Sequence, residues 1–214
     1  MKIILLGAPG SGKGTISNII CNEYNLMHIS TGDLFRAQLK IDDDLTAQIK
    51  EFVLTGKYVP DWITNKIASD AIENSLSNYN GYILDGYPRT LSQVDYLNEN
   101  YGQVDAAILL NVSNDTLIKR ISGRRVCKNC NSIYNIYFFN KPKNESICDK
   151  CGGELIQRKD DALDVVQERI TIYDEQTKPL IKYYQEKNLL YDINAEIEIG
   201  ALVEKVRAIL NKFR

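Results

Sequence analysis

Short runs of large apolar residues, each closed by a glycine or an acidic turn and followed by helical spacing, organise most of this chain. Ile3-Ile4-Leu5-Leu6 is unbroken and not alternating, so residues 2 to 6 predict a short strand covered on both faces. Ile16, Ile19, Ile20 and Tyr24 then recur at helical spacing, which predicts a helix ending near Tyr24. Met27 to Ile29, Tyr82 to Leu84, Ala106 to Val112 and Leu189 to Ile193 predict four more strands. Ser30-Thr31-Gly32-Asp33 predicts a turn in which Asp33 or Thr31 caps the next helix, and two or three helices follow through residues 34 to 77, broken near Gly56 and Pro60. Further on, Asp164 and Gln167 have the spacing of a capping box, Pro179 bends or ends that helix, and a last helix spans about Ile197 to Leu210. Buried strands alternating with helices predict an α/β fold with a parallel sheet covered on both faces.

Residues 123 to 157 break this rhythm. They hold four cysteines, Tyr134, Tyr137 and Phe138 without helical period, and read as an insertion with its own small fold. Cys127-x-x-Cys130, seventeen intervening residues and Cys148-x-x-Cys151 have the spacing of a four-thiolate zinc site. A closed four-sulfur shell leaves no position for water, so the metal is assigned to structure, and iron is the other ion that such a set holds. Lys128 and Lys150 beside the ligands soften the charge of the thiolates. Cys21 stands apart on the first helix and reads as a small core residue.

A chain of 214 residues suits one α/β domain with insertions, and 44% hydrophobic with 25% charged residues is ordinary for a globular protein. The formal net charge of −2 argues against a molecule built to grip nucleic acid or an anionic membrane, although Arg120 to Lys159 carries nine basic against three acidic residues. The N-terminal apolar run is too short for a secretory signal, and no run is long enough to span a bilayer, so the expectation is a cytoplasmic protein. That compartment is reducing, which favours metal binding over disulfides for the cysteines. Nothing in the chain demands more than a monomer.

The chemistry starts directly after the first strand. Residues 7 to 15 read G-A-P-G-S-G-K-G-T, which fits G-x-x-x-x-G-K-[ST] except that Gly14 replaces the hydroxyl residue. Glycines at 7, 10 and 12 let backbone N–H groups turn in around phosphate oxygens, Lys13 adds a point charge, and the following helix points its positive end at the same anion. A metal ion bound with the polyphosphate must then be held elsewhere, because Gly14 has no ligand atom; Asp85, at the end of the third strand, is the candidate.

Thr31-Gly32-Asp33-Leu34-Phe35-Arg36 and Asp85-Gly86-Tyr87-Pro88-Arg89-Thr90 both follow strands, so they face the crevice at the carboxyl ends of a parallel sheet. Arg36 and Arg89 suit a bidentate clamp on an acceptor phosphate, and the Gln93 amide suits a base edge. Arg120, Arg124 and Arg125 precede the insertion, Arg158 closes it and Arg169 lies about three helical turns on. Charge around a moving phosphoryl group and exclusion of water are what its transfer requires, and arginines on a lid supply both. Asp160, Asp161 and Asp164 are the partners that the same arginines find in ion pairs. His28, the sole histidine, reads as a supporting residue on a buried strand.

Taken together, the motifs at 7 to 15, S-T-G-D-L-F-R at 30 to 36, G-K-Y-V-P-D at 56 to 61, D-G-Y-P-R-T at 85 to 90, G-R-R-V-C at 123 to 127 and R-K-D-D at 158 to 161 resemble those of the adenylate kinases with a long, zinc-bearing lid. In that family glycine after the loop lysine is the norm. The resemblance implies a P-loop NTPase-type fold: a parallel five-stranded sheet flanked by helices, with a helical AMP-binding insertion and a small zinc-binding lid. Its core would comprise residues 1–29, 60–120 and 159–214, with the AMP-binding arm at 30–59 and the lid at 121–158. It implies reversible transfer of the terminal phosphoryl group of ATP to AMP, giving two ADP, with Mg²⁺.

Carried onto this sequence, the resemblance implies that Gly10, Ser11, Gly12, Lys13, Gly14 and Thr15 bind ATP phosphates, with Arg120, Arg124, Ile133, Tyr134 and the backbone near Ile197 also facing ATP. For AMP it implies Thr31, Arg36, the backbone of Lys57, Tyr58 and Val59, then Gly86, Tyr87, Pro88, Arg89 and Gln93, with Arg158 and Arg169 at the transfer point. Lys13, Arg89, Arg124, Arg158 and Arg169 would carry the catalysis, while Asp85 would order hydrated Mg²⁺ and the four cysteines hold Zn²⁺. Two departures are visible: Tyr134-Asn135 where relatives often have Tyr-His, and Tyr87 where phenylalanine is commoner. A UMP or CMP kinase, a GTP-using donor variant, and a zinc-ribbon nucleic-acid binder with an ATP switch are the alternatives.

Overall fold

The computed structural model describes residues 1–41, 43–138 and 140–214. Its elements run β1 (Lys2–Leu6), α1 (Lys13–Tyr24), β2 (Met27–Ser30), α2 (Thr31–Gln38), α3 (Asp44–Thr55), α4 (Asp61–Asn78), β3 (Tyr82–Asp85), α5 (Leu91–Tyr101), β4 (Ala106–Asn111) and α6 (Asn114–Ser122). There follow β5 (Arg124–Cys127), β6 (Ile133–Asn135), β7 (Leu155–Ile156), α7 (Leu163–Ile172), a π-helical turn (Tyr173–Thr177), α8 (Pro179–Glu186), β8 (Leu190–Asn194) and α9 (Ile199–Leu210).

The five strands that the apolar runs predict form one parallel sheet in the order β2-β3-β1-β4-β8. Alternate residues of β1 feed two cores. Ile3 and Leu5 pack with Ile16 and Ile20 of α1 and Leu202, Val203 and Val206 of α9. Ile4 and Leu6 pack on the opposite face with Ala68 and Ile72 of α4, Val94 and Leu97 of α5, and Leu180 and Tyr184 of α8. A strand buried on both faces cannot alternate with polar residues, which explains the unbroken apolar run. Because α1 leaves β1 toward one face and α5 leaves β3 toward the other, a crevice opens between those neighbouring strands at their carboxyl ends. Register places the motifs there together: Asp85 is level with Leu5 of β1 and with Ser30 of β2.

The insertion folds as a small antiparallel sheet, β6-β5-β7, whose buried cluster is Cys127, Tyr134, Cys148 and Leu155. Helices α2 to α4 enclose a third core of Phe35, Ile49, Val59 and Ile63. Among the described residues no helix is long and apolar enough to cross a membrane.

Three local expectations need correction. Ser30, and neither Thr31 nor Asp33, caps α2, its side chain accepting from Asp33 N at 3.3 Å. Extension of β2 by one residue brings that hydroxyl to the helix start. Asp164 lies within the first turn of α7 and makes no cap; Ala162 occupies the N-cap position, since the chain enters from the turn at Lys159–Asp161. Pro179 begins α8 after the π-turn, at a first-turn position where its missing N–H costs no helical bond. β8 and α9 each begin slightly later than the periodicity suggested.

Ile4 has no exposed surface and is level with Leu84 and Ala107 in the neighbouring strands. Truncation to alanine is therefore expected to remove about 2–5 kcal/mol of unfolding free energy. In urea this appears as a lower midpoint at unchanged slope, whereas Leu76→Ala, on the exposed side of α4, shifts stability by less than about 0.5 kcal/mol.

Candidate active site

A cleft of about 1210 Å³ lies over the carboxyl ends of β1, β2 and β3, roofed by the small sheet. That volume exceeds the upper end of ordinary single-ligand sites and suits two substrates side by side. Its floor is the glycine-rich loop. Gly10 and Gly12 adopt φ of 86° and 101°, a left-handed conformation that side chains rarely tolerate. A Cβ on Gly10 would also stand 2.7 Å from Ile121 Cγ1. The Lys13 ammonium is folded back onto the loop, donating to Gly7 O at 2.7 Å and Ala8 O at 3.2 Å. Burial, only partly opposed by Asp85, lowers its pKa to about 8.

Asp85 faces the same loop. Its Oδ2 is 3.4 Å from His28 Nε2 and would be 3.7 Å from a Cβ on Gly14. The space that a hydroxyl at position 14 would use thus opens onto a carboxylate. Burial would raise the Asp85 pKa, but the His28 hydrogen bond and the charge of Lys13 outweigh it and hold the carboxyl below its usual range. An anion fixed beside the phosphate loop has the chemistry to order the water shell of Mg²⁺.

Arginines line the rest of the cleft, most of them steadied by aspartates. Arg124 pairs with Asp161 through two nitrogens, Nε to Oδ2 at 2.8 Å and Nη2 to Oδ1. Although burial favours its neutral form, the Asp161 bonds raise the Arg124 pKa overall. Arg169 donates to Asp160 Oδ2 at 3.0 Å and approaches Asp161 at 3.6 Å. Arg36 bonds Asp33 at 2.6 Å and approaches Asp160 at 3.7 Å, while Arg158 approaches Asp33 at 3.7 Å. Desolvation, then repulsion from Arg36 and Arg124, lowers Arg158 to about 10, which leaves it charged at neutral pH. Asp164 is exposed and takes no part in these pairs.

Of the residues singled out from sequence, the cleft is lined by Gly10 to Thr15, Asp85, Gly86, Pro88 and Arg89. It is lined also by Arg36, Tyr58, Arg120, Arg124, Ile133, Tyr134, Arg158, Arg169 and Ile197. Thr31, Val59, Tyr87 and Gln93 are buried and do not line it, and Lys57 is exposed and does not line it either. Thr31 donates to Gly86 O at 2.8 Å and is fully buried. Gln93 gives its amide N–H to Asp61 at 2.7 Å and accepts from Arg89 N at 2.8 Å, so a base edge would have to compete for that amide. The added hydroxyl of Tyr87 meets Asn65 Oδ1 at 2.9 Å. The Asn135 amide donates to Arg120 O at 2.7 Å. Sequence reading missed Phe138 as the ring above the Arg120 guanidinium, 5.7 Å away, and missed Tyr173 and Thr177 in the cleft wall. The aromatic cluster Tyr134, Tyr137 and Phe138 within a basic segment was a signal for the first; a π-turn leaves no such trace.

The sulfurs of Cys127, Cys130, Cys148 and Cys151 all lie within 4.8 Å of one another, with Cys127–Cys151 at 3.4 Å and Cys130–Cys148 at 3.6 Å. Four sulfurs about 2.3 Å from one tetrahedral ion would be spaced about 3.8 Å apart, so the set fits. Tyr134 reinforces it, its hydroxyl 3.5 Å from Cys148 and lowering that thiol to about 6. Although the Gly153 N–H opposes the effect, the Cys130 and Cys127 sulfurs push the Cys151 thiol up to about 12.

A family model described as adenylate kinase matches residues 5–189. Over 214 residues the chain is 41% identical to the adenylate kinase of Clostridium beijerinckii, covering 98% of each. It is 47% identical to that of Ruminiclostridium cellulolyticum over 194 residues, covering 89% of this chain and 90% of the relative. With the Borreliella burgdorferi adenylate kinase it shares 43% over 212 residues and 99% of each chain. The phosphate loop beneath a cleft of arginines and these full-length matches lead to one conclusion: the chain belongs to the adenylate kinase family.

Proposed function

We propose that this protein is an ATP:AMP phosphotransferase that interconverts ATP plus AMP with two ADP. The observation that carries the reading is the convergence of Lys13, Arg36, Arg89, Arg124, Arg158 and Arg169 on one cleft beside the loop. ATP occupies the loop side, beneath Arg120, Arg124, Ile133 and Tyr134 and beside Ile197. AMP occupies the side of Thr31, Arg36, residues 57 to 59 and Gly86 to Gln93. The segments 30–59 and 121–158 act as arm and lid on the core.

The AMP phosphate is already ionised, so no general base is needed, and an oxygen of that phosphate attacks the γ-phosphorus of ATP as the bond to the β-phosphate oxygen breaks. Lys13, Arg124, Arg158 and Arg169 hold and neutralise the equatorial oxygens, and Arg36 and Arg89 orient the acceptor. Asp160 and Asp161 keep the arginines aimed before substrate arrives, so little reorganisation accompanies transfer. The small sheet above the cleft excludes water, which would otherwise take the phosphoryl group. Asp85 is the residue to hold Mg²⁺ through its water shell; bound with ATP, Mg²⁺ neutralises charge on the β- and γ-phosphate oxygens. The four cysteines hold a structural Zn²⁺. The reading also places the protein in the cytoplasm as a monomer.

ADP formation from ATP and AMP in a coupled assay tests the activity, with UMP, CMP and GMP as competing acceptors and GTP as competing donor. Arg124→Ala and Arg158→Ala are expected to lower kcat by about 10²-fold or more. An unchanged kcat in either would refute the transfer scheme; a melting curve on the same samples separates this from unfolding, since Arg124→Ala removes both Arg124 bonds to the buried Asp161 and leaves it only the 3.6 Å approach of Arg169.

A second outcome concerns protons. Free Lys13 is partly neutral at pH 8.5, whereas a bound polyphosphate favours its charged form. ATP binding at that pH should take up a fraction of a proton, measured by calorimetry in buffers of different ionisation enthalpy, and Lys13→Met should abolish the uptake. For the lid, metal analysis should find one zinc per chain, and a strong chelator should release it together with four titratable thiols and a lower melting temperature.

A further inference from the structure

Among the acceptor-side arginines, Arg36, Arg158 and Arg169 each face an aspartate, but Arg89 makes no ion pair among the described residues. Its guanidinium is held in another way. Nε donates to Gly86 O at 2.8 Å, and the guanidinium carbon sits 4.7 Å from the centroid of the Tyr58 ring. The ring is anchored in turn. Tyr58 Oη is 2.7 Å from Thr177 Oγ1, and that hydroxyl donates to Arg89 O at 3.0 Å. Since Thr177 has a single hydroxyl hydrogen and gives it to Arg89, Tyr58 is the donor in the first bond. The loop thus closes on itself: Arg89 backbone, Thr177, Tyr58, Arg89 side chain. Thr177 is buried and ends the π-turn, where Lys178 N bonds back to Tyr173 O. π-turns are often retained where a helix must re-aim one side chain.

We propose that Tyr58 and Thr177 are positioning residues for Arg89, which set the direction of its guanidinium and thereby the affinity for the phosphate monoester of the acceptor. This rests on the reading of Arg89 as a clamp on that phosphate. The two terminal nitrogens carry no hydrogen bond to a described residue, while Nε and the guanidinium face are occupied, so the fork points its free edge into the cleft. An aspartate partner would compete with the substrate phosphate for that edge; an aromatic face fixes the plane without doing so. The phenol therefore supplies preorganisation that Asp33 and Asp160 supply to the other arginines.

The test is a kinetic comparison of Tyr58→Leu, Tyr58→Phe and Thr177→Val. Loss of the ring in Tyr58→Leu should raise KM for AMP about five- to tenfold, more than it lowers kcat, with KM for ATP within about twofold of the parent. Tyr58→Phe keeps the stacked face and should recover most of that loss; Thr177→Val should resemble Tyr58→Phe. Adenosine has no phosphate, so its inhibition constant against AMP should be the same in the parent and in Tyr58→Leu. An unchanged KM for AMP in Tyr58→Leu, or equal losses for adenosine and AMP, would overturn the proposal. In an Arg89→Ala background Tyr58→Leu should add nothing further, and an additional rise there also overturns it. If Arg89→Ala itself leaves KM for AMP untouched, the clamp reading fails first, and the two failures are told apart.

Discussion

Like charges crowded into one cleft are the constraint on which this molecule depends. Lys13 and six arginines meet over the ends of three strands, several of them largely buried. Desolvation and mutual repulsion push Lys13, Arg158 and Arg169 down from their ordinary pKa values, a cost that only anions can offset. Asp33, Asp85, Asp160 and Asp161 offset part of it. The remainder is positive potential directed at a polyphosphate.

The aspartates differ in what they leave available. Asp161, with no exposed side-chain surface, holds Arg124 by two bonds, and removal of Asp161 would leave the Arg124 charge without an ion-pair partner among the described residues. Asp33 and Asp160 each touch two arginines, one of those contacts at 3.7 Å, so they tie α2 to the chain just beyond the small sheet. Asp85 stands with His28 against the phosphate loop and faces Gly14, which has no hydroxyl. As Arg120 does beside Phe138, Arg89 relies on an aromatic ring and backbone carbonyl oxygen, and among the acceptor-side arginines it alone does so. Its plane is fixed while its charge stays unclaimed.

The sheet explains why these groups can be so exact in position though they come from all parts of the chain. Each motif follows a strand whose register is set by burial on both faces, since a slip of one residue would exchange the contents of the two cores. Phosphate loop, Asp85 and the start of α2 are therefore level within the crevice. In the small sheet the cysteines Cys127 and Cys148 are themselves part of the buried cluster, beside a few apolar side chains, Val126, Tyr134 and Leu155.

Sequence by itself determined the five strands of the parallel sheet, the phosphate loop, the strand-end arginines and the four-cysteine spacing, though not the strands of the small sheet. Each of these is written in a local pattern: an unbroken apolar run, glycines around a lysine, C-x-x-C pairs. It was weaker where neighbours compete for one task, as when Ser30 and not Asp33 caps α2, or when Asp164 has cap spacing without the cap. Only the tertiary structure decided who partners whom. Gln93 is committed to Asp61 and Arg89, Arg124 to Asp161, and Tyr58 to a hydroxyl 119 residues away. Side-chain partners depend on which loops the strand order brings level and on how a π-turn re-aims Thr177. Neither is encoded in any short stretch of residues.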